Sequence, residues 1–406
     1  GLNNGQPSLQ GGNAGSAGHL TGSGGGGGST DGFRAGNGGP GMVAIKYVIG
    51  PGNPVGPATL DAKATGGQVT IYSDHAIHVF KSAGTFTNTS GSDITGIEYV
   101  AVGGGGAGGS GGGTIVGGGG GAGGVVSNIP GLMPTTTALP GPNTLGTGTP
   151  NALTITIGTG GAAMVSSTPT NDTGGLPGQN TTIASPTATL VTANGGGGGG
   201  GNDPSQVINV NGANTNDRTQ PGGSGGGGAE SDHAGGEGTA GQGNDGGTGS
   251  ESDNCAGGGG GASVAGFPGS HPTPGVEGCG GNGVQLPSGF RSPTLAPSNG
   301  AGLGAPGPGG NFWVAGGGSS LYGIWSGNDF SPRVAGYGGG GKGIFGGSPG
   351  APWSGHPQYP TLGPQMDNKP GEPGMMGSGG GGGAGPDGSP PTGTDVGGGH
   401  GGSGLV

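Results

Sequence analysis

Almost one residue in three of this 406-residue chain is glycine (125 in all), while charged residues make up 7% and apolar residues 27%, so neither a highly charged disordered chain nor a domain with an ordinary hydrophobic core fits it. The formal net charge of −11 argues against nucleic acid or an anionic membrane surface as partner, and no apolar stretch approaches a membrane span in length. Glycine comes in blocks (24–28, 103–106, 117–121, 195–201, 257–261 and 379–383) and not at every third position, which excludes collagen.

Such blocks are read either as linkers or as a regular structure of their own. The low charge favours the second reading, an extended polyglycine II helix. It has three residues per turn and no internal hydrogen bonds, so every backbone N–H and C=O points outward to a neighbour. With no Cβ, neighbouring runs can approach to about 4.8 Å, the spacing of β-strands. Ordering a glycine costs about 0.5–1 kcal/mol more than ordering an alanine, and a backbone hydrogen bond contributes about 1 kcal/mol net. No single run is stable under those terms; several must be pooled into a bundle. Gly103, Gly119, Gly198, Gly259 and Gly381 are the structural positions of that bundle.

In chain order, residues 1–50 read as the end of a preceding glycine-rich unit with a closing strand over 42–49. The approach to that strand, Asn37-Gly-Gly-Pro-Gly-Met-Val43, recurs as His400-Gly-Gly-Ser-Gly-Leu-Val406, which predicts tandem units with the chain stopping short of the second strand. Residues 51–62 are a Pro/Gly linker. Residues 63–193 form a β-rich base, with strands predicted over 68–73, 76–81, 84–89, 97–102, 152–157 and 188–193, as a small antiparallel sheet or sandwich. Three of these strands run directly into glycine at Gly103, Gly158 and Gly195, as if glycine helices project from the base. Residues 194–406 are the main glycine bundle with long proline-rich loops, and no helix of useful length is predicted. The expected fold class is all-β and irregular.

The landmarks Tyr72, His78 and Phe80, then Gly84-Thr-Phe86, Glu98-Tyr-Val-Ala-Val-Gly103, Leu153-Thr-Ile-Thr-Ile-Gly158 and the closing Gly-Gly-Ser-Gly-Leu-Val406 resemble the glycine-rich domain of phage tail fibre and tail-associated proteins. The resemblance spans roughly residues 63–406. More distantly the chain is similar to the polyglycine-sandwich adhesins of T-even-like phages, though its tandem arrangement and proline-rich insertions depart from them. The resemblance implies a scaffold of glycine helices on the virion surface that holds up host-binding loops.

Patterns with chemistry dissolve against this background. Gly336-Tyr-Gly-Gly-Gly-Gly341-Lys342-Gly343 is one residue short of a phosphate-binding loop and lacks its strand and helix. Ala240-Gly-Gln-Gly-Asn-Asp245-Gly-Gly247 partly matches a calcium-binding repeat, but once only, and the stretch Glu230–Asp253 reads as a solvated acidic loop. The seven histidines are scattered, and His75 and His78 fall on opposite faces of a strand. No catalytic, cofactor-binding or metal-binding residue is assigned. Cys255 and Cys279, the two cysteines, border glycine runs as either a disulfide staple or two reduced thiols. Nine of seventeen aromatic residues lie between 311 and 360: Phe312, Trp313, Tyr322, Trp325, Phe330, Tyr337, Phe345, Trp353 and Tyr359. They form either a recognition surface or a small core that caps the bundle or buries an interface. The expectation is therefore a non-catalytic structural protein, virion-surface or extracellular, that associates with itself or with neighbouring fibre proteins and meets a host surface protein or glycan. A non-viral filament or adhesin, or an ice-binding protein, is the alternative.

Overall fold

The computed structural model describes residues 43–50, 62–72, 74–109, 116–139, 143–148, 151–162, 174–201, 209–210, 213–214, 221–230, 232–272, 276–290, 303–308, 311–320 and 334–341. Its regular elements are strands, with one 3-10 turn at Ser288–Phe290. The first ten strands are β1 (Val43–Val48), β2 (Ala64–Thr65), β3 (Gln68–Tyr72), β4 (His75–Phe80), β5 (Gly84–Asn88), β6 (Glu98–Val102), β7 (Val125–Ser127), β8 (Ala152–Thr156), β9 (Thr181–Ala184) and β10 (Thr189–Ala193). They form two five-stranded sheets, ordered β3-β4-β1-β6-β7 and β10-β9-β8-β5-β2, with antiparallel pairing throughout.

Alternation along the strands explains why these sheets stack. Val43, Ile45 and Tyr47 of β1, Tyr99 and Ala101 of β6, and Phe80 of β4 meet Phe86, Leu153, Ile155, Ile183 and Val191 of the second sheet in one buried cluster. The intervening residues Ala44, Ile77, Val79, Val100 and Val102 point the other way. There they pack against a small third sheet built from β13 (Val284–Gln285), β14 (Ala305–Pro306) and β15 (Phe312–Val314), after a two-stranded pair of β11 (Asn209–Val210) and β12 (Ala213–Asn214). The first sheet is therefore covered on both faces. Gly66, at φ +111°, and Gly67, at φ +62°, turn the chain from one sheet to the other, where a Cβ on Gly66 would strike the Thr85 carbonyl.

The strand expected at 42–49 is present as β1, and its position is the middle of the first sheet. It pairs with β4 over Val43–Val48 and with β6 over Val43–Lys46. Tyr47 anchors it. The Tyr47 hydroxyl lies 3.1 Å from His78 Nε2 and accepts the Ala64 N–H at 2.9 Å, while His78 Nδ1 lies 2.7 Å from the Gly66 carbonyl. A carbonyl only accepts, so Nδ1 carries the proton and Tyr47 donates to Nε2. Burial holds the His78 imidazole below its ordinary range, which keeps it neutral in this arrangement.

Candidate functional site

Five of the glycine-rich runs are continuations of strands. β6 leads into 103–109, the chain returns through 116–124 into β7, β8 leads into 157–162, 174–180 returns into β9, and β10 leads into 194–201. In the sandwich, side chains hold the two sheets apart. Where the side chains end, the runs issuing from the two sheets pair directly. Gly104 and Ala107, beyond β6, donate to the Gln179 and Leu176 carbonyls before β9, and Gly196 and Gly199, beyond β10, donate to the Gly104 and Ala107 carbonyls.

The pairing advances three residues at a time. Gly103, Gly106 and Gly109 donate to Gly124, Gly121 and Gly118 at 2.9, 2.8 and 2.9 Å. Gly118, Gly121 and Gly124 in turn donate to Gly200, Gly197 and Asn194. That register is the signature of a helix with three residues per turn, since every third amide faces the same neighbour. The run 116–124 is wholly buried and bonded to five others: 103–109, 194–201, 221–229, 255–261 and 315–320. A Cβ on Gly103 would overlap the Asn194 carbonyl, on Gly119 the Gly318 carbonyl, on Gly198 the Gly175 carbonyl and on Gly259 the Gly120 carbonyl. Gly381 lies outside the described residues.

Polar side chains complete the lattice where a run starts or ends. Asn180 Oδ1 accepts the Gly195 N–H at 2.8 Å, Thr181 Oγ1 accepts the Gly158 N–H at 2.8 Å, and Gln242 Oε1 accepts the Asn194 N–H at 2.9 Å. Asn282 Oδ1 does the same for Tyr337 at 3.1 Å. Glu230, 4% exposed, accepts the Val116 N–H at 2.9 Å and closes the end of the central run. This corrects the solvated-loop reading of Glu230–Asp253. Its carboxylates Asp232, Glu237, Asp245 and Glu251 are exposed, but Glu230 is buried and the backbone of Gly235–Gly249 is woven into the bundle. Within the calcium-like stretch, Asp245 is committed to the Gly238 N–H at 2.7 Å and Asn244 to the Gly261 carbonyl at 2.9 Å.

Of the aromatic residues, Phe312, Trp313 and Tyr337 are described, while Tyr322, Trp325, Phe330, Phe345, Trp353 and Tyr359 lie outside the described residues. β15 divides its two rings by alternation. Phe312 packs on the core of the first sheet's outer face, whereas Trp313 turns away to meet Tyr337 with ring centroids 5.8 Å apart. The Trp313 Nε1 is buried without a hydrogen-bond partner. Cys255 and Cys279 are two buried thiols with no bond between them. Cys255 sits beside Ser320, which ties neighbouring runs through the Ala256 and Gly278 carbonyls, and Cys279 Sγ accepts the Val334 N–H at 3.3 Å. His75 pairs with Asp74 at 2.6 Å, apart from the buried His78. Among the described residues no three His, Cys, Asp or Glu side chains converge, and no helix is long and apolar enough to cross a membrane.

The capping residues were missed from sequence because Asn, Gln and Thr beside glycine also suit turns; for Glu230 the available signal was its position directly after the run Gly225–Ala229. No curated protein and no solved structure matches the chain. A family model described as a glycine-rich domain matches residues 81–311, from the turn before β5 to the start of β15. That span covers more than half of the sequence and most of the described lattice, and the chain belongs to the glycine-rich domain family.

Proposed function

We propose that this protein is a non-catalytic scaffold of an extracellular appendage, of the kind found in phage tail fibres, in which the sandwich anchors a stiff glycine bundle and the loops between runs face the environment. The observation that carries the reading is the three-residue register around the buried run 116–124. A segment bonded to five neighbours through its own backbone can bend only by breaking several of them together, so the bundle resists deformation as a unit. Such a body suits a load-bearing or presenting part. Neighbouring copies or fibre proteins are its expected partners, and a host surface protein or glycan is the expected target of the loops.

Hydrogen exchange tests the mechanical half of this reading. Amides of Gly103–Gly109 and Gly117–Gly124 are expected to exchange as slowly as those of β1 and β6; exchange at the rate of an unstructured chain overturns the scaffold. Antibody labelling of intact particles, viewed by electron microscopy, tests the location: decoration along a fibre supports an appendage, and labelling confined to other material refutes it. Thermal hysteresis of freezing solutions would favour the ice-binding alternative instead.

A further inference from the structure

We propose that the slot between β4 and β6 accepts the β1 strand of a second copy of this chain, so that copies are joined by strand exchange. The inference deepens the scaffold reading, on which it rests for its purpose but not for its geometry. β1 is the first described element, yet it occupies the middle of its sheet and is bonded along both edges, to β4 and to β6. Val43, Ala44, Ile45 and Tyr47 are 0% exposed. Both faces are fastened as well, with Tyr47 on His78 in the sandwich and Lys46 bridging Glu98 at 2.7 Å while lying 5.2 Å from the Phe290 ring on the opposite side. A vacant slot would leave two strand edges and two apolar faces in water. It must be filled, but nothing in those contacts specifies that the filling strand belong to the same chain.

The connection makes exchange inexpensive. β1 and β2 are separated by residues 49–63, whose sequence has prolines at positions 51, 54 and 57. The strand contacts are identical whether made within one chain or between two, so the balance rests on loop closure, which depends only weakly on loop length. The approach to β1 is also written twice, as residues 37–43 and 400–406, so the sequence carries the lead-in to a strand of this type at two places.

The direct test places one cysteine on the strand and one in the slot. Lys46 and Glu98 are register partners across β1 and β6, a spacing that a disulfide spans. Full-length chains carrying Lys46→Cys and full-length chains carrying Glu98→Cys, with different tags, are unfolded together, refolded and oxidised. Exchange predicts a covalent heterodimer of doubled mass linked through positions 46 and 98, whose fraction rises with concentration towards about millimolar. The chain with both substitutions is run in parallel. If it closes its own disulfide while no heterodimer forms at any concentration, the proposal is overturned. Unsubstituted chains guard against a folding defect in the variants: mixed dimers of isotopically light and heavy copies in native mass spectra support exchange, and monomers alone at the same concentration refute it. Hydrogen exchange of the glycine runs in these samples reports the scaffold separately, since slow amides are expected whichever chain supplies the strand.

Discussion

The sandwich and the glycine bundle are made by one chain and share a boundary, but they are held together by opposite means. In the sandwich, side chains such as Phe86, Leu153 and Ile183 fill the space between two sheets, and the strand ladders run within each sheet. In the bundle, most positions are glycine and side chains are few, so runs issuing from both sheets bond to one another in several directions. A side-chain core tolerates change by shifting rotamers and filling gaps. A backbone lattice has no such slack, because its only variable is the distance between main chains.

The largest effect that this contrast predicts comes from a single side chain in the lattice. Gly198→Val would drive its Cβ into the Gly175 carbonyl, and we expect a loss of more than about 4 kcal/mol in denaturant melting. Ile155→Val, equally buried but in the sandwich, is expected to cost about 0.5–1.5 kcal/mol. Equal losses at the two positions would break the distinction.

An intermediate effect is expected from His78, which ties β1 to the turn between the sheets. Its folded-state pKa lies below the ordinary value of 6.5 because of burial, so the unfolded chain takes up a proton first as the pH falls. The stability it contributes is complete above about 6.5 and is lost as the pH falls through the folded-state value. Melting temperature should therefore decline from pH 7 to 5, and the difference between the native chain and His78→Gln isolates this group from the carboxylates. At neutral pH the substitution itself should cost about 1–3 kcal/mol through the disturbed buried hydrogen bonds. A difference that stays constant across that pH range would exclude His78 as the titrating group.

The smallest effect runs the other way. Ser224 occupies a lattice position with its hydroxyl buried and without a hydrogen-bond partner. Ser224→Ala removes that group and keeps the Cβ, and should stabilise the bundle by about 1 kcal/mol. Destabilisation of similar size would show that the hydroxyl is bonded.

Much of the base was legible in the residues. β3, β4, β5, β6, β8 and β10 lie close to their predicted positions because β-branched and aromatic residues cluster there between turn residues. β7 and β9 were not, since Val125–Ser127 and Thr181–Ala184 are short and each follows a run with no pattern of its own. The role of β1 was also hidden. Its strand character is evident from Val43–Val48, but its place between β4 and β6 depends on contacts with residues far along the chain. Among the aromatic residues, crowding in sequence did not foretell that Phe312 and Trp313 would face opposite ways, which follows from the alternation of β15.

By itself, the sequence determined that this protein is built from strands and close-packed glycine runs, because composition alone rules out a large side-chain core and the blocks leave the backbone as the main source of cohesion. Which run lies against which was decided only by the tertiary structure. Identical stretches of glycine carry no shape by which to choose a neighbour, so for the runs 103–109, 116–124, 157–162, 174–180 and 194–201 partner and register are set by the strands they join: β6 and β7 from one sheet, β8, β9 and β10 from the other.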